Sequence, residues 1–296
     1  MPPKRSSKSL SKKSLVTSGF RLQGTDGIRC EVKTTSSEVT GLTPQETFLK
    51  LGFITKEFME IYAYAHVKQL ILKGKARAGD NIVVGWDPRD PRGNFTSAVV
   101  SGVCKAGANA LILGVVPTPL VPMYMLYKNA LAGFMVTASH NPKDQNGIKT
   151  FCSFRGLKLL PENDVTLTRA VLEVNPSALN KLSLKGKRID SRIEALKLFY
   201  RFSLEPENTW VPVEQANYLF KNITLVVDAA NGSLSEIAAE IFRQAGFREV
   251  IEVNARLNGD VNLESGVADL EGKTLITSKM IQKNTGSLSK HLAVTK

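Results

Sequence analysis

Three short apolar runs constrain this fold most: Ile82-Val83-Val84-Gly85, Leu111-Ile112-Leu113-Gly114 and Ala132-Gly133-Phe134-Met135-Val136. Runs of this length between turn formers read as buried strands. Between the first two, residues 94–106 read as a helix that Gly107 stops, and a shorter helix follows Pro119. The resulting β-α-β-α-β order sets strands side by side with helices over both faces, through right-handed crossovers. The pattern returns later. Thr224-Leu225-Val226-Val227-Asp228 reads as a strand, Asn231-Gly232 as a turn, a helix runs to Ala245 with Gly246 as its stop, and Val250-Ile251-Glu252-Val253 forms the next strand. The expected fold class is α/β: two successive three-layer α/β/α domains with mixed, mostly parallel sheets, the second incomplete.

Other elements fill in around this frame. Thr43-Pro44-Gln45-Glu46 carries an N-cap, a first-turn proline and a capping-box glutamate. Phe48, Leu51, Ile54, Phe58 and Ile61 then recur at three or four, which predicts one long helix. Residues 161–174 read as a helix, and a Lys-rich linker, 181–188, leads to another starting near Asp190. The expected division is a disordered basic tail over 1–17, one domain over 18–180 and a second over 181–296.

Charge narrows the partners. The 296 residues carry a formal net charge of +12, but Lys4, Arg5, Lys8, Lys12 and Lys13 supply five of these charges and leave +7 on the rest. That first stretch has no acidic residue and almost no aromatic content, so it reads as a solvated tail. A modest positive field suits an anionic ligand such as a phosphorylated sugar, and the aromatic interleaving of an RNA-binding sheet is missing. A nucleic-acid binder would rest on the tail alone. No apolar run approaches the ~20 residues that span a bilayer, so neither a nucleic acid nor a membrane is expected as partner. Cys30, Cys104 and Cys152 are odd in number and widely spaced, which gives neither a disulfide framework nor a metal pair and points to a reducing cytoplasm.

The candidate chemistry centres on Thr137-Ala138-Ser139-His140-Asn141-Pro142. The apolar run before it ends at Val136, and Pro142 and Asn146-Gly147 after it are turn formers, so Ser139 lies at a strand-to-loop corner where open α/β sheets collect ligands. A lone serine there reads as a turn or cap residue. His140 beside it adds an ionisable group, and Lys149 adds a cation able to offset phosphate charge. Gly24-Thr25-Asp26-Gly27-Ile28-Arg29 reads by itself as a turn, or else as small residues that bring backbone amides to an anion while Arg29 pairs with it. Asp87-Pro88-Arg89-Asp90-Pro91-Arg92-Gly93 follows a strand and reads equally as a ligand loop or a solvated turn with i-to-i+2 charge pairing. Asp228 to Gly232 is plain βα turn chemistry. No Gly-x-Ser-x-Gly elbow, three-glycine dinucleotide fingerprint or correctly spaced P-loop occurs, and His66 and His291 read as packing or surface residues.

Taken in order, the motifs at 24–29, 87–92, 137–142, 146–149 and 226–232 resemble those of the α-D-phosphohexomutase superfamily, the phosphoglucomutases and phosphomannomutases, from about Phe20 onward. The resemblance implies that Ser139 carries a phosphate, donates it to position 1 or 6 of a hexose phosphate and takes it back from the other. Hexose 1,6-bisphosphate is the implied intermediate and activator, and Mg²⁺ the implied cofactor, held in part by the phosphorylated Ser139. It implies Arg29, His140 and Lys149 as cationic and acid/base groups, Lys149 being the preferred general base, and Gly24, Thr25, Asp26, Arg89 and Asn141 as the phosphate-binding set. Cys30 stands where the family usually has a glycine.

The departures are as specific. The family's metal loop, sugar-selecting loop and later phosphate-binding loop are not found; the stretch 258–266 resembles the one upstream of the metal loop, and Asp228, Asp260 and Asp269 are too scattered to replace the missing ligands. His291-Leu292-Ala293-Val294 is apolar and uncapped, so an interrupted chain is expected. The expectation is an N-terminal fragment of a cytoplasmic phosphohexomutase, inactive by itself; the rival is a catalytically dead sugar-phosphate-binding or regulatory protein.

Overall fold

The computed structural model describes residues 20–24, 26–33, 41–208 and 213–267, with isolated positions between 272 and 279. The basic tail, Thr25 and the final apolar stretch lie outside the described residues.

Among the described residues, nine strands form two sheets. They are β1 (Ile28–Val32), β2 (Phe53–Ile54), β3 (Asn81–Trp86), β4 (Asn109–Val115), β5 (Ala132–Val136), β6 (Gln145–Cys152), β7 (Arg188–Asp190), β8 (Thr224–Asp228) and β9 (Glu249–Val253). The larger sheet has the order β2-β1-β6-β5-β3-β4-β7, and β6 is the strand that runs against the others. The sheet is therefore mixed and mostly parallel, as the sequence led us to expect. The smaller sheet is the parallel pair β8-β9.

The helices follow in chain order: α1 (Pro44–Glu46, continuing as a wider turn through Leu51), α2 (Lys56–Leu72), α3 (Ser97–Ala106), α4 (Leu120–Tyr127), α5 (Pro161–Glu173), α6 (Pro176–Asn180), α7 (Arg192–Leu204), α8 (Val213–Phe220) and α9 (Ile237–Gln244). They cover both faces of the large sheet because its central strands are apolar on both. Ile82 and Val84 of β3 pack with Phe58 and Tyr62 of α2 and Val99 of α3, whereas the intervening Val83 packs with Val121 and Tyr124 of α4 and Ala195 of α7. Successive strand residues point to opposite faces, so a run without polar alternation needs two covering layers.

The single long helix expected over Phe48 to Ile61 is two helices. Gly52 closes α1 in the left-handed region at φ +73, and Thr55 accepts the amide of Phe58 as N-cap of α2. Between them Phe53 and Ile54 pair with Glu31 and Val32 as β2. The apolar spacing continued through the break because Ile54 and Phe58 both face the same core, so periodicity hid what two capping residues announced. Thr43 does make the expected capping box with Glu46.

Asn146-Gly147 is not a turn. Both residues lie inside β6, opposite Cys30 and Arg29. A Cβ at Gly147 would stand 1.8 Å from the carbonyl oxygen of Ile28, so glycine serves here for close strand approach. The segment after the linker also differs: β7 pairs with β4 and extends the large sheet past residue 180.

Candidate active site

Ser139 stands three residues beyond β5 with φ +56, a left-handed conformation uncommon for a non-glycine residue. A chain of hydrogen bonds holds it there. Its N–H donates to Thr137 Oγ1 at 2.9 Å, and Thr137 Oγ1 donates in turn to Asp87 Oδ2 at 2.5 Å. Asp87 is paired with Arg89, whose side chain is 1% exposed. From the same guanidinium, Nη2 donates to the Ser139 carbonyl at 2.8 Å and also to the Asn141 carbonyl. The i-to-i+2 charge pair anticipated at 87–89 thus forms, but buried beneath the serine loop. Asp90 is also spent internally, accepting the Thr96 amide at 2.7 Å and its hydroxyl at 2.9 Å before α3.

The second unit reaches the same loop. Asn262 Nδ2 donates to the carbonyls of Ser139 at 2.9 Å and Asn141 at 3.0 Å, and Lys143 pairs with Asp260 at 2.8 Å. Asn262 was not singled out in the sequence; only its place inside the stretch 258–266 hinted at it. With its backbone clamped from both sides, Ser139 Oγ has no hydrogen-bond partner among the described residues, and His140 next to it is exposed. Asn141 bonds Gln145 through its side chain at 2.7 Å. A hydroxyl held on a rigid corner with no competing bond is suited to forming a covalent bond to a ligand.

A second cluster surrounds Asp26. Lys149 Nζ lies 3.0 Å from Asp26 Oδ2, and Arg29 and Lys158 pair with the same carboxylate. Register explains the meeting, since Gly147 lies opposite Arg29 and Lys149 is two residues further along on the same face of β6. Burial acts to raise the Asp26 carboxyl, but hydrogen bonds and charge from Lys158 and Lys149 outweigh it and hold the group at about 2. Three cations around one carboxylate leave a positive surplus. Lys158 enters this cluster unheralded: no motif contains it, and an isolated bridge between Phe151 and Lys158 brings it alongside β6. Gly24 and Gly27 close the adjoining turn, with the Gly24 amide donating to the Gly27 carbonyl at 3.0 Å. Gly27, at φ +87, is pressed against Ile148, whose carbonyl oxygen would be 2.4 Å from a Cβ. Among the described residues no hydrogen bond or ion pair joins this cluster to the Ser139 network.

Asp228 behaves as turn chemistry predicts, accepting the Ala230 amide at 2.8 Å and the Asn254 side chain at 3.0 Å. Among the described residues no group of three or more His, Cys, Asp or Glu side chains could hold a metal ion. The carboxylates beside Ser139 are committed to Arg89, Thr137 and Thr96. The described residues therefore do not compose a Mg²⁺ site.

Residues 21–176 match the family described as phosphoglucomutase/phosphomannomutase, alpha/beta/alpha domain I. The chain belongs to this family. It is similar to a phosphoglucosamine mutase of Pseudomonas putida (strain W619), 32% identical over 253 residues, covering 84% of this chain and 48% of the relative. Another phosphoglucosamine mutase, from Mycobacterium ulcerans (strain Agy99), is 33% identical over 254 residues, covering 85% and 49%. The chain thus spans about half the length of these curated relatives. Among solved structures it is similar in fold to a putative phosphomannomutase from Thermus thermophilus, with a TM-score of 0.58 at 22% identity over 80% of this chain and 46% of that one. Among the described residues no helix is long and apolar enough to cross a membrane.

Proposed function

We propose that this phosphohexomutase-family chain supplies the phosphate-carrying half of an enzyme that moves phosphate between positions 1 and 6 of a hexose phosphate. The observation that carries the reading is Ser139: a clamped, left-handed corner residue whose hydroxyl has no partner among the described residues. In the proposed cycle the phosphoserine gives its phosphoryl group to the free hydroxyl of the sugar monophosphate, forming the 1,6-bisphosphate. The bisphosphate turns over, and Ser139 Oγ takes the other phosphoryl group back.

Phosphoryl transfer is mostly positioning and charge stabilisation. Arg29, Lys149 and Lys158 are proposed to meet phosphate charge, with Asp26 holding them on one face and Gly24 in the adjoining turn; Thr25, outside the described residues, keeps the phosphate-binding role that the resemblance implies. Lys149 is proposed as the group that accepts the sugar hydroxyl's proton, a role that requires it first to leave Asp26 and release its own proton to solvent, so that it meets phosphate charge only in its protonated form. Arg89 and Asn141 are assigned to the support of the loop, since the guanidinium is spent on Asp87 and two carbonyls. His140, exposed beside the serine, is the proposed proton carrier to solvent. A cytoplasmic setting and a domain division near residue 180, with β7 returning to the first sheet, belong to the same proposal; the Mg²⁺ that the resemblance implies would need ligands other than the described residues. Glucosamine phosphate is the first substrate to offer, given what the relatives are named for.

The test is turnover of the complete enzyme carrying Ser139→Ala. Loss of nearly all activity is expected; retained turnover would sink the nucleophile assignment. A sugar-phosphate-binding protein without catalysis would instead bind the substrate equally well with or without the serine and turn over in neither form.

A further inference from the structure

At the end of the large sheet opposite Ser139 lies a cavity of about 270 Å³. Register fixes its place: Cys152 on its wall pairs with Ala132 at the start of β5, whereas Ser139 lies beyond the other end of that strand. None of the residues assigned above to phosphate chemistry lines it.

His66 of α2 forms part of the wall. It is 4% exposed, stands edge-on to Phe134 with ring centroids 5.5 Å apart, and its Nε2 is buried without a hydrogen-bond partner. A buried polar atom left unpaired costs about 1–3 kcal/mol, so the ring beside this cavity is held at a real expense in stability. Burial, and secondarily the charge of Lys73, push the imidazole down to about 4, so the ring is neutral at ordinary pH. Lys73 lies seven residues beyond His66, two helical turns on and on the same side. Lys73 and Lys75 are exposed on the lining and have no ion-pair partner among the described residues, and no Asp or Glu lines the cavity. Leu70, Leu131 and Leu159 supply apolar wall.

We propose that this cavity binds a short amphipathic carboxylate, its apolar body on the leucines and its head at the two lysines, beside the His66 imidazole. The volume lies just under the roughly 300–1,000 Å³ of common ligand pockets, which favours a small acid over a nucleotide or cofactor. The inference rests on no part of the mutase proposal, because the two sites share no residue.

Octanoate and its uncharged counterpart octanamide serve as probes, titrated calorimetrically into the full chain. Octanoate is expected to bind at least about tenfold more tightly than octanamide, because an ionised acceptor strengthens each hydrogen bond. The double variant K73E/K75E, altered only at exposed positions, is expected to lose about tenfold in octanoate affinity while binding octanamide unchanged. The His66 ring resonances should shift on octanoate addition and those of His140 should not. No binding at about 10 mM octanoate, equal affinity for the amide, or shifts confined to His140 would each overturn the proposal.

Discussion

Arg89 donates to the main-chain carbonyl of Ser139 at 2.8 Å across fifty residues of sequence, so the loop before α3 sets the conformation of the corner after β5. The strut is ionic, since the same guanidinium is paired with Asp87 and both side chains are almost wholly buried. Removing one partner of such a pair strands the other charge, typically at about 3–5 kcal/mol. Arg89→Met is therefore expected to lower the unfolding free energy by about that amount, measured by urea denaturation, and to increase proteolysis within 139–145. A change within about 0.5 kcal/mol, the usual range for surface positions, would show that Arg89 is not the strut.

Gly147 provides a test of register. Gly147→Ala places a methyl group 1.8 Å from the Ile28 carbonyl oxygen, a contact between two backbones that no rotamer relieves. β1 must move from β6, carrying Arg29 out of line with Lys149, and stability should drop by more than the ~1 kcal/mol that an ordinary left-handed glycine costs when replaced. Gly74→Ala is the control: its φ is +67 but nothing lies within 4 Å of the new Cβ. Equal destabilisation of the two variants would refute the close-approach explanation.

Two buried groups should give opposing pH dependences. Burial pushes the Asp164 carboxyl up to about 6, against the charge of Arg21, while His66 is pushed down to about 4. With an unfolded value near 6.5, His66 contributes full stability above that pH and loses it as pH falls toward 4, because the unfolded chain takes up the proton first. Asp164, with an unfolded value near 3.9, contributes below that pH and loses it as pH rises through about 6. Each contribution is about 3 kcal/mol, from 1.36 kcal/mol per unit. Between pH 4 and 6 they largely cancel, so Asp164→Asn should make stability rise with pH and His66→Phe should make it fall. Parallel stability curves for the wild type and both variants would contradict this.

The fold was legible where residues act locally. Buried strands β3, β4 and β5 stood out as apolar runs, and Thr43 marked a helix start by its capping box. What sequence hid was non-local. Ile54 and Phe58 share a core across a chain break, so periodicity reported a common face and missed the change of element. Gly147 looked like a turn residue because its reason for being glycine lies on another strand. At the site, Ser139, Asp26, Arg29 and Lys149 carried motif signals, and the structure gathers the last three. Lys158 had none and Asn262 only its place within 258–266, because each arrives from a distant segment by main-chain pairing or by contact between the two units. Arg89 was visible as a loop residue, but only three-dimensional packing shows that its charge is turned inward on the serine backbone.

Whether Ser139 carries phosphate is read by phosphopeptide mass spectrometry of the protein isolated from its native source. A peptide containing Ser139 is expected to be heavier by about 80 Da, the mass a phosphoryl group adds, and to regain that mass from hexose 1,6-bisphosphate after phosphatase treatment. An unmodified Ser139 in an active preparation, or phosphate on another residue, would contradict it.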